Sequence, residues 1–294
     1  MPRTYSPLRY PGGKTQLSKF LIEILKYNNL ENVIYAEPFS GGFGAGLELL
    51  FSGKVRKVLI NDFDISIYSI WYAILNETER FVQSIMMIDV TIEEWEKQKK
   101  IYDELKKSKV YSFELALASY FLNRTNVSGI ITGGPIGGMN QESKYKLDCR
   151  FNKKNLAKKL KDISNWKYNI ELYNYEANVF IDKVLLKYSP EEIFIFFDPP
   201  YYEQGKNLYT NFFKHDDHTK LKRQIDKLKY YYWILTYDYH EEISDIYSEY
   251  SKYLYKINYS ANKVRKANEL LIHSGCTNIK SFDKVICRSI NSIT

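Results

Sequence analysis

The stretch Phe194-Ile195-Phe196-Phe197-Asp198-Pro199-Pro200-Tyr201-Tyr202 sets the interpretation of the whole chain. Its four apolar residues predict a buried β-strand, and the acid and two prolines that follow predict where this strand ends. Because proline lacks an N–H and has a fixed φ, the Pro199-Pro200 pair forces the backbone out of the sheet into a rigid, extended turn. Ligands bind at the carboxyl ends of the strands in an open parallel sheet. We therefore expect Asp198, the Pro199 carbonyl and the Tyr201 ring at the mouth of a pocket.

These groups suit the activation of an amino group on a flat heterocycle. The lone pair of such a nitrogen is delocalised into the ring, which makes the nitrogen a poor nucleophile. A carboxylate and a carbonyl would bind both N–H groups and favour the pyramidal nitrogen whose lone pair can attack, while an aromatic ring would stack on the heterocycle. An acid followed by one proline is usually only a turn, but the full motif after an apolar strand is seldom accidental. We predict that Asp198, Pro199, Pro200 and Tyr201 form the catalytic corner.

The composition is that of a protein with a real core and a moderate excess of cations. The 294 residues are 45% hydrophobic and carry a formal net charge of +7. This excess of cations permits a polyanionic partner, and the 27 tyrosines offer rings that stack on bases, although most of them fill core and rim positions. No apolar run approaches the ~20 residues that span a bilayer. The first residues lack the apolar region of a secretory signal, so we expect a cytoplasmic protein.

The cysteines and histidines give no sign of a metal site. Cys149, Cys276 and Cys287 lie far apart and form no C-x-x-C pair, which indicates a reduced compartment and argues against a zinc site or a disulfide framework. His215 and His218 have no second pair nearby, and we interpret them as surface polar groups. We therefore predict a protein without a metal.

A glycine-rich turn after a short strand indicates a nucleotide cofactor. Residues 33–36 predict the strand, and Glu37-Pro38-Phe39-Ser40-Gly41-Gly42 leads from it into a helix. Glycines at such a turn let the backbone approach the ligand closely. Asp62 ends the next strand about 20 residues later, where an acid can bind both ribose hydroxyls and Phe63 can cover the adenine. The alternative is that Asp62 caps a helix over residues 65–76.

The segment Gly13-Lys14-Thr15 has the ending of a phosphate-binding loop. Leu8 stands where the full motif needs a glycine, so we reject that interpretation and, with it, an ATP-driven enzyme. We predict instead that Lys14 and nearby backbone N–H groups face a carboxylate at the start of a helix over residues 15–27.

From about residue 78 to residue 164 the sequence reads as an insertion. Helical patterns at 91–107 and 113–124 precede a glycine-rich loop (residues 125–138), which we expect to be long and flexible. A loop of this kind is usually functional or disordered, and the lysines that follow it predict a surface that binds phosphates. A solvated lysine-rich helix over residues 153–161 is an equally good interpretation. Strands then return at 170–173, 193–197, 232–236, 253–257, 269–272 and 285–287.

These segments, in this order, resemble the Dam-like (D12-class, alpha-group) DNA adenine N6-methyltransferases. The resemblance covers nearly the whole chain. It implies an α/β fold: a Rossmann-like S-adenosylmethionine-dependent methyltransferase domain (residues 1–77 and 165–294) with an inserted, mainly helical target-recognition domain (residues 78–164). The motifs that carry it are Arg9-Tyr10-Pro11-Gly12-Gly13-Lys14, the turn at 37–42, Asp62, Asn123-Arg124, Asp198-Pro199-Pro200-Tyr201 and residues 262–271.

The resemblance also implies the reaction. S-adenosyl-L-methionine would donate a methyl group to N6 of a flipped-out adenine in a short double-stranded DNA sequence, without a metal and with S-adenosyl-L-homocysteine as product. The implied cofactor residues are Tyr10, Gly13, Lys14, Glu37, Phe39, Ser40, Gly41, Gly42, Asp62, Phe63 and Asp198. The implied DNA contacts are Arg9, Asn123, Arg124, Asn126, Val127, Ser128, Lys144, Lys263 and Arg265.

One departure from the family concerns the recognised bases. Where Dam itself has an aromatic residue that wedges into the duplex, this chain has Val127, so GATC is not to be assumed. The resemblance is compatible with a monomer, with a cognate restriction endonuclease as a partner, and with a prokaryotic cell or a virus-infected host. Three alternatives stay open: a methyltransferase of RNA adenine, one of cytosine N4 (which usually has Ser in place of the Asp), and an inactive DNA-binding protein of the same fold.

Overall fold

An eight-stranded sheet forms the centre of the structure, a computed structural model that describes residues 4–10, 13–203, 213–259 and 265–289. The strand order is β3-β2-β1-β4-β5-β7-β6-β8. The predicted α/β fold is confirmed. The strands are β1 (Ile34–Glu37), β2 (Lys57–Asn61), β3 (Ile170–Tyr173), β4 (Ile193–Phe197), β5 (Tyr232–Asp238), β6 (Ser251–Tyr259), β7 (Arg265–His273) and β8 (Arg288–Ser289).

The strand order reverses beside β1, and this reversal positions the site. Strands β1 to β5 pair in parallel, whereas β7 is antiparallel to β5 and β6 is antiparallel to both β7 and β8. The chain runs outward from β1 through β2 to β3 and then returns to the other side at β4. Ala36 pairs with Ile195, so the turn after β1 and the catalytic corner after β4 leave the sheet side by side. Ligands of open α/β sheets bind at such a switch point.

Helices cover both faces of the sheet. Strand β4 is buried along its whole length, as expected for a parallel strand between two helical layers. Its side chains alternate: Phe194 and Phe196 enter one core, and Ile195 and Phe197 enter the other. The helices are α1 (Ser18–Tyr27), α2 (Gly44–Phe51), α3 (Ile65–Asn76), α4 (Thr78–Met87), α5 (Ile92–Leu105), α6 (Phe113–Thr125), α7 (Lys153–Ser164), α8 (Ala177–Lys183), α9 (His215–Ile225) and α10 (Glu241–Ile246).

The segment predicted as an insertion is mainly helical and contains α4 to α7. Its side chains join the core on one face of the sheet, where Phe81, Tyr120 and Leu160 belong to the same buried cluster as Phe194. The division into one domain of residues 1–77 and 165–294 and an inserted domain of residues 78–164 stays a prediction. Side chains from both parts contribute to this one buried cluster.

The predicted strand at 285–287 is wrong. Val285 forms an isolated bridge with Phe282, because Asp283 adopts a φ of 51° and turns the chain back on itself. The strand that closes the sheet is β8, which begins at Arg288 and pairs with β6. Among the described residues, no helix combines the length and the apolar character needed to cross a membrane.

Candidate active site

A pocket opens at the carboxyl ends of β1, β2 and β4. All of the predicted cofactor residues except Gly41 line it, and so does Pro200 of the catalytic corner. Pro199 and Tyr201 are buried beside the pocket and do not line it. Motifs that lie far apart in the sequence therefore surround one cavity. The lining residues that the sequence predicted for the cofactor and the catalytic corner are Tyr10, Gly13, Lys14, Glu37, Phe39, Ser40, Gly42, Asp62, Phe63, Asp198 and Pro200. Asn123, a predicted DNA contact, lines the same pocket.

Asp62 connects the end of β2 to the glycine-rich turn. Its Oδ2 accepts the Gly41 N–H at 2.8 Å and its Oδ1 accepts the Asp64 N–H at 2.9 Å. Removal from water, together with the nearby charge of Asp64, raises the pKa of Asp62 to about 7. The residue that caps α3 is Asp64, whose carboxylate accepts the Ser66 N–H at 2.8 Å. The alternative interpretation of Asp62 as the helix cap is therefore wrong.

Two glycines let the N-terminal segment pack against the turn. Gly41 has a φ of 48°, and a Cβ there would lie 2.6 Å from the Tyr10 ring. The Trp71 indole N–H donates to the Gly41 carbonyl at 3.0 Å, and the Ser6 hydroxyl donates to the Gly42 carbonyl at 2.5 Å. These contacts fix the backbone that forms the floor of the pocket, because any side chain at Gly41 would displace the Tyr10 ring.

Glu37 places a second carboxyl group at the pocket, at the end of β1. Its Oε1 accepts the Tyr35 hydroxyl at 2.7 Å. Burial raises the pKa of Glu37 to about 8; the charge of Asp198 adds to this shift, while the Tyr35 hydrogen bond and the Lys14 cation oppose it. The group is therefore mostly protonated at neutral pH as long as no further cation lies beside it.

Lys14 and Asp198 form a buried ion pair at the catalytic corner. The ammonium of Lys14, whose side chain is 5% exposed, lies 2.9 Å from Asp198 Oδ1. The same oxygen accepts the Thr236 hydroxyl from β5 at 2.7 Å. Two donors thus occupy Oδ1, and Oδ2 is the oxygen that can accept a hydrogen bond from a substrate. Sequence reasoning missed Thr236, since one threonine within a buried strand carries no signal of its own.

Tyr201 is anchored by its hydroxyl below the corner. Lys14 Nζ donates to the Tyr201 oxygen at 2.7 Å, and the Tyr201 hydroxyl donates to Glu269 Oε1 at 2.6 Å. Glu269 also accepts the hydroxyl of Tyr255. The sequence placed Glu269 in the motif over 262–271 but assigned it no role.

Asp238 holds the backbone that follows the corner. At the end of β5, its two oxygens accept the N–H groups of Tyr202 and Glu203 at 3.0 and 3.1 Å. Sequence reasoning missed Asp238 as well, although an acid at the end of a strand adjacent to β4 could have suggested it. The corner is thus fixed on both sides, by Thr236 at the carboxylate and by Asp238 at the backbone.

The comparison with protein families identifies the chain. The model of the D12 class N6 adenine-specific DNA methyltransferase family matches residues 10–271. The chain belongs to this family. It is therefore an adenine-specific DNA methyltransferase, and DNA is its substrate. Among solved structures, the rRNA methyltransferase aviRa from Streptomyces viridochromogenes is 12% identical, with a TM-score of 0.36 over 90% of this chain and 86% of that chain. No curated protein matches.

Two predicted DNA contacts of this methyltransferase lie in its interior. Asn123 is 1% exposed; it accepts the Arg9 N–H at 2.9 Å and donates to the carbonyls of Arg9 and Gly129, both at 2.8 Å. Asn126 is fully buried and accepts the Trp95 indole N–H at 2.6 Å. Its amide also donates to the carbonyls of Ile130, Ile131 and Gly133. Both side chains shape the glycine-rich loop, and a direct contact of theirs with DNA stays a prediction.

The glycine-rich loop is hydrogen-bonded to itself and forms part of the pocket. The Val127 N–H donates to the Gly134 carbonyl and the Ile136 N–H donates to the Thr125 carbonyl, while the expected flexibility of the loop stays a prediction. Val127 is 46% exposed, and Ser128 beside it has a φ of 56°. Residues 129–132 line the pocket. The loop therefore presents its tip to the solvent and its far side to the cofactor residues.

The two predicted arginine contacts also bind backbone carbonyls. Arg9 donates to the Asn126 carbonyl at 2.7 Å, and Arg124 donates twice to the Arg150 carbonyl, at 3.0 and 2.6 Å. Burial and the charges of the other two arginines lower the pKa of Arg9 to about 10. Three cations thus lie near one another at the base of the glycine-rich loop, where contact with DNA stays a prediction.

The remaining predicted DNA contacts are one exposed lysine and two residues whose side chains lie outside the described part of the structure. Lys144 is exposed, with its ammonium 5.9 Å from the centre of the Tyr145 ring. Lys263 lies outside the described residues, and so does the side chain of Arg265 on β7. Direct DNA contact by all three stays a prediction.

The lysines of helix α7 were predicted either to bind phosphates or to form a solvated helix. On α7, Lys158 and Lys161 pair with Asp162 and Glu79, which favours the charged, solvated helix over a phosphate-binding surface there.

The interpretation of His218 as a surface group is wrong. It is fully buried, its Nδ1 lies 2.8 Å from the Tyr237 hydroxyl, and burial lowers its pKa to about 4. Within the described ranges, no group of three His, Cys, Asp or Glu side chains is placed to hold a metal ion.

Proposed function

We propose that this enzyme transfers a methyl group from S-adenosyl-L-methionine to N6 of a flipped-out adenine in a short double-stranded DNA sequence. The observation that supports this most is the shared cavity: Asp198 of the catalytic corner lines the same pocket as Lys14 and Asp62. A donor bound by the cofactor residues and an amine bound by Asp198 would therefore share one cavity, as direct transfer requires. We include in the proposal a monomer, located in the cytoplasm, that needs no metal.

The residues of the pocket fit the proposed donor. Asp62 offers a carboxylate at the end of β2 for the ribose hydroxyls, and Phe63 beside it lines the pocket and is 47% exposed, so its ring could cover an adenine. Glu37 and Asp198 place negative charge near the cationic part of the donor. When bound, S-adenosyl-L-methionine supplies a methyl group that is already activated on a sulfonium cation. No side chain of the protein then has to act as a nucleophile.

Asp198 would orient the target amine. Its Oδ1 is occupied by Lys14 and Thr236, so we assign Oδ2 and the Pro199 carbonyl as the two acceptors of the N6 hydrogens. The ion pair with Lys14 and the hydrogen bond from Thr236 hold the Asp198 carboxylate in place, so little reorganisation would accompany the reaction. Positioning and preorganised charge would supply most of the catalysis.

Tyr201 would stack on the extruded base. The base has to leave the duplex because its amino group cannot reach the donor while it is stacked there. Tyr201 is 7% exposed, so a base can meet the ring face only after a neighbouring group moves aside. The hydroxyl contacts of Tyr201 hold one end of the ring during such a movement.

The test is methyl transfer from labelled S-adenosyl-L-methionine to duplex DNA by the wild type and by Asp198→Ala. We expect transfer by the wild type only, with calorimetry showing that donor affinity weakens less in the variant. Sequencing the modified bases in DNA from cells that express the chain identifies the recognised sequence. Unchanged turnover in the variant, or a labelled base other than N6-methyladenine, would reject the proposal, and RNA of the same sequence is the control for the nucleic acid.

A further inference from the structure

Glu269 lies directly behind the catalytic corner, although it does not line the pocket. It is 1% exposed on β7, and each of its two oxygens accepts one phenol hydroxyl, from Tyr201 and from Tyr255. Its Oε1 is also 4.0 Å from the ammonium of Lys14. A carboxylate in this position connects the ion pair of the corner to the ring that follows it.

We propose that Glu269 is a positioning residue that holds the Tyr201 ring, through its hydroxyl, in the orientation on which the target base stacks. The inference rests on the proposed function, because it takes the stacking on Tyr201 as given. It adds a residue from the antiparallel part of the sheet to a site that otherwise belongs to the parallel strands.

The hydrogen-bond directions support this role. The oxygen of Tyr201 accepts from Lys14 at 2.7 Å, so its one proton is directed to Glu269 at 2.6 Å. The ring is thereby fixed at its hydroxyl, while the backbone beyond it is fixed by Asp238 through the Tyr202 N–H. A side chain held at both ends has little freedom to turn away from the base.

The two phenol hydroxyls require a hydrogen-bond acceptor at position 269. Burial beside Glu269 and Asp198 raises the pKa of Tyr201 well above its ordinary value, and burial next to Glu269 does the same for Tyr255. Both phenols therefore stay protonated donors. A glutamine at position 269 would have one acceptor oxygen for two donors, so one phenol would lose its partner, while the size of the side chain would hardly change.

A double-mutant cycle tests the proposal. Glu269→Gln, Tyr201→Phe and the double variant are compared with the wild type, using labelled S-adenosyl-L-methionine and a duplex that contains the sequence methylated in expressing cells. We expect Glu269→Gln to lower kcat by about 10- to 100-fold, as a misplaced reacting group does, with the donor Kd from calorimetry within about two-fold of the wild type. The double variant should be no slower than the slower single variant, because coupled residues are not additive.

A spectroscopic signal reports on the stacking without turnover. The duplex then carries 2-aminopurine at the target position, and S-adenosyl-L-homocysteine is added. Stacking on Tyr201 quenches the fluorescence of the flipped base. We expect brighter fluorescence in Glu269→Gln than in the wild type and no further increase when Tyr201→Phe is added.

A remote cluster of the same kind provides the matched control. Asp226 accepts the Tyr250 hydroxyl at 2.7 Å and lies 3.0 Å from the Lys222 ammonium. Asp226→Asn should therefore lose a comparable tyrosine–carboxylate–lysine contact and leave kcat unchanged. An equal loss of kcat in Asp226→Asn would show a general effect of destabilisation and overturn the proposal.

The remaining outcomes separate the two proposals. If the losses from Glu269→Gln and Tyr201→Phe multiply, Glu269 acts by another route and the positioning role is refuted, while the proposed function stands. If the wild type methylates no duplex, the proposed function fails and the stacking role of Glu269 fails with it. In that case the same double-mutant cycle can still be measured by unfolding in denaturant. A coupling between the two substitutions in the free energy of unfolding would then show the Glu269–Tyr201 contact without a role in base stacking.

Discussion

The pocket and the glycine-rich loop use their polar residues in opposite ways. At the pocket, the residues of the sequence motifs point into the cavity, and Asp198, Lys14 and Asp62 meet there. In the loop region, the motif residues Asn123 and Asn126 spend their side-chain amides on hydrogen bonds to the protein backbone, although Asn123 also lines the pocket. The exposed part of the loop is its tip at residues 127 and 128. The polar motif residues therefore line a cavity in the first region and support the backbone in the second.

This difference follows from what each region has to hold. Ionisable groups in the pocket are paired with one another, with buried hydroxyls or with backbone N–H groups, because an unpaired buried charge is costly. The loop contains no ordinary helix or sheet over most of its length, so its carbonyls need other partners. One asparagine amide supplies hydrogen bonds to three of them.

The largest effect that we expect is the loss of activity in Asp198→Ala. Removing the proposed acceptor of the target amine should lower kcat by about 10³-fold or more, in line with the loss of a preorganised catalytic group. Lys14 keeps Glu269 within 4.0 Å as a countercharge, so we expect a folded protein. Radiolabel transfer and circular dichroism measure the two properties, and Asp226→Asn is the control. A folded Asp198→Ala variant with full activity would show that the chemistry does not depend on the Asp198 carboxylate in the pocket.

The second prediction concerns the loop. Asn126→Ala removes the partner of the Trp95 indole N–H and the side-chain hydrogen bonds to three carbonyls, of which, among the described residues, only that of Ile130 keeps a backbone donor, the Gly133 N–H. We therefore expect a loss of about 2–3 kcal/mol or more in the free energy of unfolding. Because residues 129–132 line the pocket, the donor Kd should rise as well. Denaturant unfolding and calorimetry measure both effects.

Val127→Ala is the matched control in the same loop. Its side chain is exposed at the tip, so stability and donor affinity should stay close to those of the wild type, and the KM for DNA should change instead. If Val127→Ala destabilised the protein as much as Asn126→Ala, the distinction between a supporting interior and a presenting tip would be wrong.

Much of the fold and of the pocket could be predicted because local signals and the global arrangement agree. The apolar run of β4 ends at Asp198 for reasons of backbone chemistry alone, and the parallel sheet brings that end beside the turn after β1. The family match confirms the fold and the class of reaction. The residues of the pocket were predicted as a set, and the cavity that they surround is consistent with that prediction.

What could not be predicted depends on contacts between distant parts of the chain. Thr236 lies in an ordinary strand sequence, and Glu269 lies in the motif over 262–271 without an assigned role; only the pairing of β5 with β4 and β7 brings them to the corner. The buried state of His218 depends in the same way on Tyr237 across the packing of α9. The direction in which an asparagine points has no sequence pattern either. The resemblance alone predicts Asn123 and Asn126 as DNA contacts, and their hydrogen bonds to the backbone depend on the fold.

A smaller effect is expected for Tyr201→Ala. Loss of base stacking should weaken target binding by about 1–3 kcal/mol, while Tyr201→Phe keeps the ring and tests only its hydroxyl anchor. The KM for duplex DNA and the fluorescence of 2-aminopurine at the target position are the measurements. Full activity of Tyr201→Ala would count against a stacked base and would leave Tyr201 with only the internal role that the loop asparagines have.

The smallest effect should be a pH dependence that belongs to the pocket and not to the loop. The pKa values of Glu37 and Asp62 are raised to about 8 and about 7, so both groups give up protons when the cationic donor binds. Donor affinity should therefore rise with pH, by at most about ten-fold per unit for each proton released, and level off above about pH 8. The free energy of unfolding should change with pH in the opposite direction. The unfolded carboxyl groups ionise near their ordinary values, so the folded state holds extra protons, and the free energy of unfolding falls as pH rises toward these raised pKa values.

Glu37→Gln separates the two carboxyl groups. In this variant the rise in donor affinity should end near pH 7, where Asp62 is ionised, and the fall in stability between pH 7 and 8 should disappear. Calorimetry of the donor and denaturant unfolding at each pH measure the two slopes. Asn126→Ala is the comparison from the loop: it should shift both curves by a constant amount, because no titrating group is removed. A slope between pH 7 and 8 that persisted in Glu37→Gln would show that the raised carboxyl group lies elsewhere.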